Sequence, residues 1–191
     1  MASSSSCTSR PINTKNRCGP TGQKFVEWLN KADVRKPTGW AYRLPAEAEW
    51  EYAGRGKERR EWAWGNDWDG SRCNFADKHS ELAWADREAD DGYPRTAPVG
   101  RYSPKGDTPL GLCDMTGNVW EWCQDWFDAA YYQASPVNDP VNADAKAKRV
   151  ERGGSWAFTP DYCRAAFRMG LEPAASYDTL GFRVVLARAH H

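Results

Sequence analysis

Apolar positions along this chain follow two different periods, separated by a long stretch that follows neither. Over residues 22–31, Phe25, Val26 and Leu29 recur at helical spacing with Trp28 widening the stripe, which predicts an amphipathic helix. Residues 44–54 predict a second one. Pro45 stands in the first turn, Glu47 and Glu49 near the positive end of the helix dipole, and Gly54 at the stop. Residues 57–116 carry only short apolar runs among Gly, Pro, Asp and Asn and read as long ordered loops, which in a compact domain are either functional or pinned by an ion or by packing. At 118–126 the period becomes two: Trp120, Trp122 and Trp126 fall on one parity, Glu121, Cys123 and Asp125 on the other. This is a strand with indoles on one face. Residues 149–156, 163–169 and 180–187 predict three more short strands, the last with Phe182, Val184 and Leu186 on one face. Helices, then loops, then strands make an α+β domain without the βαβ alternation of a nucleotide-binding fold.

Composition narrows the function classes. With 26 basic and 26 acidic residues interspersed, the chain lacks the electrostatic footprint of a nucleic-acid or anionic-membrane binder, and neither is expected as a partner. Eleven Trp, eight Tyr and six Phe are more aromatic mass than regular elements this short can use, so rings are expected to fill an irregular core. Residues 1–21 are polar and aperiodic, the composition of a disordered leader, which leaves residues 22–191 as one domain. That leader lacks the apolar run of a secretory signal, so a cytoplasmic location is expected. Cysteines stand at Cys7, Cys18, Cys73, Cys113, Cys123 and Cys163 with no Cys-x-x-Cys pair, and the histidines are His79, His190 and His191, a poor set for zinc. Asp67 to Gly70 resembles the start of an EF-hand loop, but in that register Arg72 replaces the turn glycine and Lys78 the bidentate Glu. A plain turn is expected there. No phosphate loop, Gly-x-Ser-x-Gly elbow or His-Glu-x-x-His occurs.

Five segments carry something more specific. They are Arg-Leu-Pro-Ala-Glu-Ala-Glu-Trp-Glu-Tyr-Ala at 43–53, Thr-Ala-Pro-Val-Gly at 96–100, Gly-Leu-Cys-Asp-Met-Thr-Gly-Asn-Val-Trp-Glu-Trp at 111–122, Arg-Gly-Gly-Ser-Trp at 152–156 and Gly-Phe-Arg-Val-Val at 181–185. In this order they resemble the formylglycine-generating-enzyme, or sulfatase-modifying-factor, family over about residues 22–187. The resemblance implies a C-type-lectin-like fold with two helices, short twisted antiparallel strands and much loop. Family members have a longer N-terminal portion with a first strand that pairs near the chain's end, so the resemblance also implies an N-terminally shortened domain.

The resemblance further implies two calcium sites. One maps onto Asn74, the carbonyl of Phe75, Asp91 and the carbonyl of Tyr93; the other onto Asp114, the carbonyls of Gly117 and Val119, and Glu121. Mixed carboxylates and carbonyls are the hard oxygen donors that calcium requires. In the active enzymes two cysteines after Arg-Gly-Gly-Ser hold copper(I) for oxygen-dependent oxidation of a sulfatase cysteine to formylglycine. Here those positions are Phe158 and Cys163, and a phenyl ring removes both a soft donor and its charge. Copper is therefore expected only if the domain is catalytically active, with Cys163 as the catalytic residue and another thiol, Cys113 or Cys123, brought to it.

Two functions follow from the resemblance: a formylglycine-generating oxidoreductase, for which Phe158 is the obstacle, or a calcium-stabilised binding or accessory module for a protein or peptide ligand. The stretch between Arg-Gly-Gly-Ser-Trp and Gly-Phe-Arg-Val-Val also resembles the variable region of lectin-fold proteins diversified by retroelements. Phe158, Tyr162, Phe167 and Tyr177 are its candidate ligand-binding residues, aromatic side chains being common contact anchors. A sulfoxide synthase of the ergothioneine type would need a helical iron-binding domain, for whose histidines the sequence has no counterpart. Without the family's first strand, residues 180–187 are expected to present an open edge, which favours self-association.

Overall fold

The computed structural model describes residues 19–189, so most of the leader, with Cys7 and Cys18, and the terminal His190 and His191 lie outside the described residues. Helix α1 spans Gly19–Ala32, opening three residues before the expected domain boundary. Its apolar face lies on the chain's end: Phe25 packs on Phe182 at 5.6 Å between ring centroids. Trp28, counted into that stripe by periodicity, stays 58% exposed. Helix α2 spans Glu47–Arg55 and starts just past Pro45. The Glu49 carboxylate reaches back to the Ala46 amide at 2.8 Å and is held by the Arg43 guanidinium, a cap that satisfies one of the free N–H groups of the first turn.

Strand β1, Trp40–Arg43, was not foreseen. It pairs antiparallel with β6, Val185–Arg188, placing Arg43 opposite Val185. A four-residue strand shows too little alternation to stand out from its sequence, and its place is set by Asn30, whose amide donates to the Tyr42 carbonyl at 2.7 Å and accepts the Tyr42 N–H at 2.8 Å. The other sheet runs β4-β3-β2-β5, with β2 at Trp120–Trp126, β3 at Arg149–Arg152, β4 at Arg168–Leu171 and β5 at Leu180–Phe182. β3 is antiparallel to β2 and β4, while β5 runs parallel to β2.

Three expectations change here. β2 buries both of its faces: Trp120 and Trp122 on one, Glu121, Cys123 and Asp125 on the other. Residues 163–167 are not strand; a 3-10 turn at Pro160–Cys163 precedes β4, because Pro160 fixes φ and withholds a ladder donor. Residues 180–187 are two strands in two sheets. β6 pairs on one side with β1, which the expectation had left out, and β5 is an edge strand of the four-stranded sheet beside β2.

The described chain divides into two units. The sheet unit comprises residues 19–51, Trp120–Arg152 and residues 168–189. Beneath its strands Glu47, which is buried, accepts the Arg168 guanidinium through both oxygens at 2.6 and 2.7 Å and Arg152 Nη1 at 3.2 Å. Arg152 also reaches Glu51 at 2.6 Å, and Asp125 takes the Glu47 and Asn142 amides at 2.7 and 2.9 Å.

The loop unit comprises Tyr52–Val119 and Gly153–Phe167. It has no extended ladder among its described residues; isolated bridges, turns and side chains bonded to backbone replace one. Gly117 shows how tight this is: at φ +74 a Cβ on it would lie 2.1 Å from the Asn74 carbonyl oxygen, so only glycine fits. Asn118 donates to the Ala97 carbonyl and accepts its N–H at 3.3 and 3.0 Å. Cys73, Phe75 and Cys163 form a buried cluster flanked by Trp64, Trp68 and Ala89. The EF-hand-like stretch is the expected turn, with the Asp69 carboxylate capping Ser71 at 3.1 Å.

Candidate functional site

The first calcium set falls together in the loop unit. Asn74 is buried, and its Nδ2 donates to the Arg95 carbonyl at 2.8 Å and to Asn118 Oδ1 at 3.2 Å. Its Oδ1 is buried with no hydrogen-bond partner. An acceptor left this way costs about 1–3 kcal/mol. Next to it the Asp91 carboxylate accepts the Phe75 and Tyr93 amides at 2.8 Å each. Burial raises Asp91 to about 6 even against those two hydrogen bonds, so its negative charge lacks a counter-charge of matching strength. A buried oxygen without a donor and a desolvated carboxylate bonded to the next residue's amide are the donor types that a hard cation takes.

The second set is not alike. Asp114, in the left-handed region at φ 54, accepts the Gly100 amide at 2.8 Å, and Gly117 and Val119 follow it in the loop unit. Glu121 belongs to the sheet unit, where its carboxylate holds the Arg183 guanidinium through both oxygens and the Trp50 indole N–H at 2.7 Å. The Glu121 carboxylate is thus already shared with a guanidinium.

A third acidic group joins the buried Asp77 to His79 and Asp90. Both Asp90 oxygens are engaged, by Lys78 at 2.6 Å and His79 at 2.8 Å, which makes it an ion-pair cluster.

Cys163 ends its 3-10 turn fully buried, and burial pushes its thiol up to about 12. A Cβ added to Gly154 would fall 2.4 Å from its Sγ, so the Arg-Gly-Gly-Ser segment presses directly on the sulfur. Phe158 presents a ring at the other copper position, and its carbonyl accepts the Ala76 amide at 3.0 Å. That ring packs on Tyr162 at 5.3 Å and Tyr162 on Phe167 at 4.9 Å. Three of the four candidate ligand-binding residues thus form one aromatic row in the loop unit. Tyr177, more than half exposed, belongs to the sheet unit. The thiol that shares the buried cluster with Cys163 is Cys73; Cys123 lies on β2 of the sheet unit. Cys73 and Cys163 stand far apart in sequence, which hides this pairing from any local pattern.

Comparison with known proteins places this geometry. Residues 22–188 match the sulfatase-modifying factor enzyme 1-like domain. A formylglycine-generating enzyme of Streptomyces coelicolor is 44% identical, over 75% of this chain and 46% of its own. The bovine inactive C-alpha-formylglycine-generating enzyme 2 is 36% identical, over 79% of this chain and 46% of its own. The chain therefore spans about half the length of these relatives. Among solved structures, PvdO from Pseudomonas aeruginosa superposes with a TM-score of 0.72 at 26% identity, covering 90% of this chain and 60% of that one. Treponema denticola variable protein 1 does so with a TM-score of 0.62 at 31% identity, covering 78% and 48%. Two helices and short strands in an α+β arrangement are the C-type-lectin-like fold of this type. On a match that runs from α1 to β6, the chain belongs to the sulfatase-modifying factor family of formylglycine-generating-enzyme domains.

Proposed function

We propose that this domain is a binding or accessory module, held by calcium in its loop unit and without copper-dependent formylglycine-generating activity. The observation that carries the reading is the pair of copper positions: a phenyl ring at Phe158 leaves Cys163, buried, as the one thiol of the two. Copper(I), when bound by this family, supplies oxygen activation, and that donor set does not fit it. Membership alone is neutral, since the family relatives include a formylglycine-generating enzyme and an inactive one. Asn74 and Asp91 would hold calcium through their side chains, and Phe75 and Tyr93 through their carbonyls.

The test measures copper(I) affinity by competition with a chromogenic chelator, and conversion of a cysteine-containing sulfatase peptide by mass spectrometry. The native chain and Phe158→Cys are compared. The native chain should bind copper weakly and leave the peptide unchanged, and Phe158→Cys should gain affinity. Copper-dependent formylglycine formation by the native chain would overturn the reading and make Cys73, the thiol clustered with Cys163, the first candidate for the second donor.

The likeness to a variable protein supports a more specific version, in which the row Phe158, Tyr162 and Phe167 contacts a protein or peptide ligand. Aromatic side chains supply large contact area at low entropic cost. A selection of binders from a peptide library that is lost in Tyr162→Ala, with unchanged thermal stability, would support it; equal binding by the variant would remove the row from the interface.

A further inference from the structure

Strands β1 and β6 form a sheet of two, so each turns one side away from its partner. The hydrogen bonds fix which backbone groups face outward. The Ala189 amide donates to the Gly39 carbonyl at 2.8 Å, and in the register that sets Trp40 opposite Arg188 these two residues form a bonded pair. Bonded pairs recur at every second residue of an antiparallel ladder, so Ala41 bonds Ala187 and Arg43 bonds Val185. Trp40 and Tyr42 on β1, and Leu186 and Arg188 on β6, therefore point their amides and carbonyls out of the ladder.

The two outer sides differ. On β1 the Asn30 side chain stands in for a further strand, donating to the Tyr42 carbonyl at 2.7 Å and accepting the Tyr42 amide at 2.8 Å. The Trp40 amide donates to the Pro37 carbonyl at 3.0 Å. On β6 the outward groups of Leu186 and Arg188 have no such cap among the described residues. The strand reads Val-Leu-Ala-Arg in unbroken register, with neither the proline nor the bulge that guards an edge, and Leu186 is 37% exposed.

We propose that β6 pairs with the β6 of a second copy of this chain, antiparallel about a two-fold axis at Ala187, in a weak dimer. The outward groups set the register: Leu186 exchanges bonds with the partner's Arg188, symmetry repeats the exchange, and Ala187 meets the partner's Ala187 in a pair without hydrogen bonds. The side chains suit the same register. Alternation places Trp40, Tyr42, Leu186 and Arg188 on one face, so Arg188 lies between Trp40 and the partner's Leu186. Its stem covers apolar surface and its charge meets an indole, while no like charges stand directly opposite each other. An arbitrary extended segment could bond the same backbone groups, but a second β6 supplies arginine to leucine and leucine to arginine by symmetry alone. The inference rests on neither the calcium nor the copper reading above.

Sedimentation equilibrium of the full chain from about 10 μM to about 1 mM, where small interfaces associate, should show monomer and dimer in exchange. Hydrogen exchange at the Leu186 and Arg188 amides should slow as dimer forms, while the Tyr42 amide, already bonded to Asn30, should not change. Leu186→Pro removes an outward donor and none from the β1 ladder. It should weaken dimerisation about tenfold or more and leave the far-ultraviolet dichroism of the dilute chain unchanged. The third measurement is cross-linking in a Cys7→Ser, Cys18→Ser background, the other cysteines being buried. With oxidised glutathione as the oxidant, reduced to two thiols as the inter-chain disulfide forms, Ala187→Cys should cross-link, since a pair without hydrogen bonds sets its Cα atoms about 4.5 Å apart. Val185→Cys, opposite the partner's Ala189 in this register, should not. A monomer throughout the concentration range would overturn the proposal. So would a dimer that Leu186→Pro leaves as tight, or a cross-link through Val185→Cys in place of Ala187→Cys.

Discussion

The two units reach order by opposite means. The sheet unit joins six strands and α1, and its buried charges are paired with one another: Glu47 with Arg168 and Arg152, Glu121 with Arg183. The loop unit has backbone turns and side-chain bonds to backbone in place of strands, and it leaves the Asn74 oxygen without a donor and the Asp91 carboxylate desolvated. Self-sufficient pairing makes a scaffold. Incomplete pairing makes a place for ligands, since an unmet acceptor is free energy that a bound ion can recover.

The comparison is open to breakage, and the largest effect is expected in the scaffold. Glu47→Ala takes its carboxylate partner from the partly buried Arg168 and one of two from the buried Arg152, and breaking one side of a buried pair costs about 3–5 kcal/mol. Urea unfolding should register that loss, and a change below 1 kcal/mol would mean that the charge network does not hold the sheet unit. Next comes a sheet-unit acid outside that pairing. Glu151 is buried on β3, and burial raises its carboxyl from an ordinary 4.5 to about 7, with Lys148 only partly offsetting it. Because the folded-state value is the higher one, its stabilising contribution is complete below pH 4.5 and lost as pH rises through 7. The difference is about 3 kcal/mol at most. Glu151→Gln should flatten the stability profile between pH 5 and 8 and raise stability at pH 8; an unchanged slope would show that another group sets it.

Calcium removal sharpens the contrast from the loop side. At a hundredfold excess over Kd the ion contributes roughly 2.7 kcal/mol, and hydrogen exchange after chelation should accelerate at the Phe75 and Tyr93 amides, which rest on Asp91. Equal acceleration at the β2–β3 amides would erase the distinction between the units. The smallest effect belongs to Phe158→Cys. The loss of one partly exposed ring contact is worth about 0.5–1.5 kcal/mol, readable as a melting shift of a few degrees.

Much of this molecule could be read without its coordinates. Pro45, the acids of the first turn and Gly54 marked α2 to within a few residues, and the parity of Trp120 and Trp122 marked β2, because such signals act within one element. The long stretch without period was rightly loop, and its Gly-Pro-Asp content said so. The same locality explains what was missed. Four-residue β1 is too short to alternate visibly, and the break of 180–187 into β5 and β6 follows from having two different partners, Trp120–Trp122 and Trp40–Arg43.

Sequence by itself thus determined the family, the helices, the central strand and the substitution of Phe158 for a soft donor, since each is carried by consecutive residues or by motifs in order. The tertiary structure alone decided that Cys73 joins Cys163, that Asn74 keeps a buried oxygen without a donor, and that Glu121 shares its carboxylate with Arg183. The physical reason is separation along the chain. These partners stand tens of residues apart or depend on which polar group burial leaves unmet, and no period, propensity or motif of a single segment carries that information.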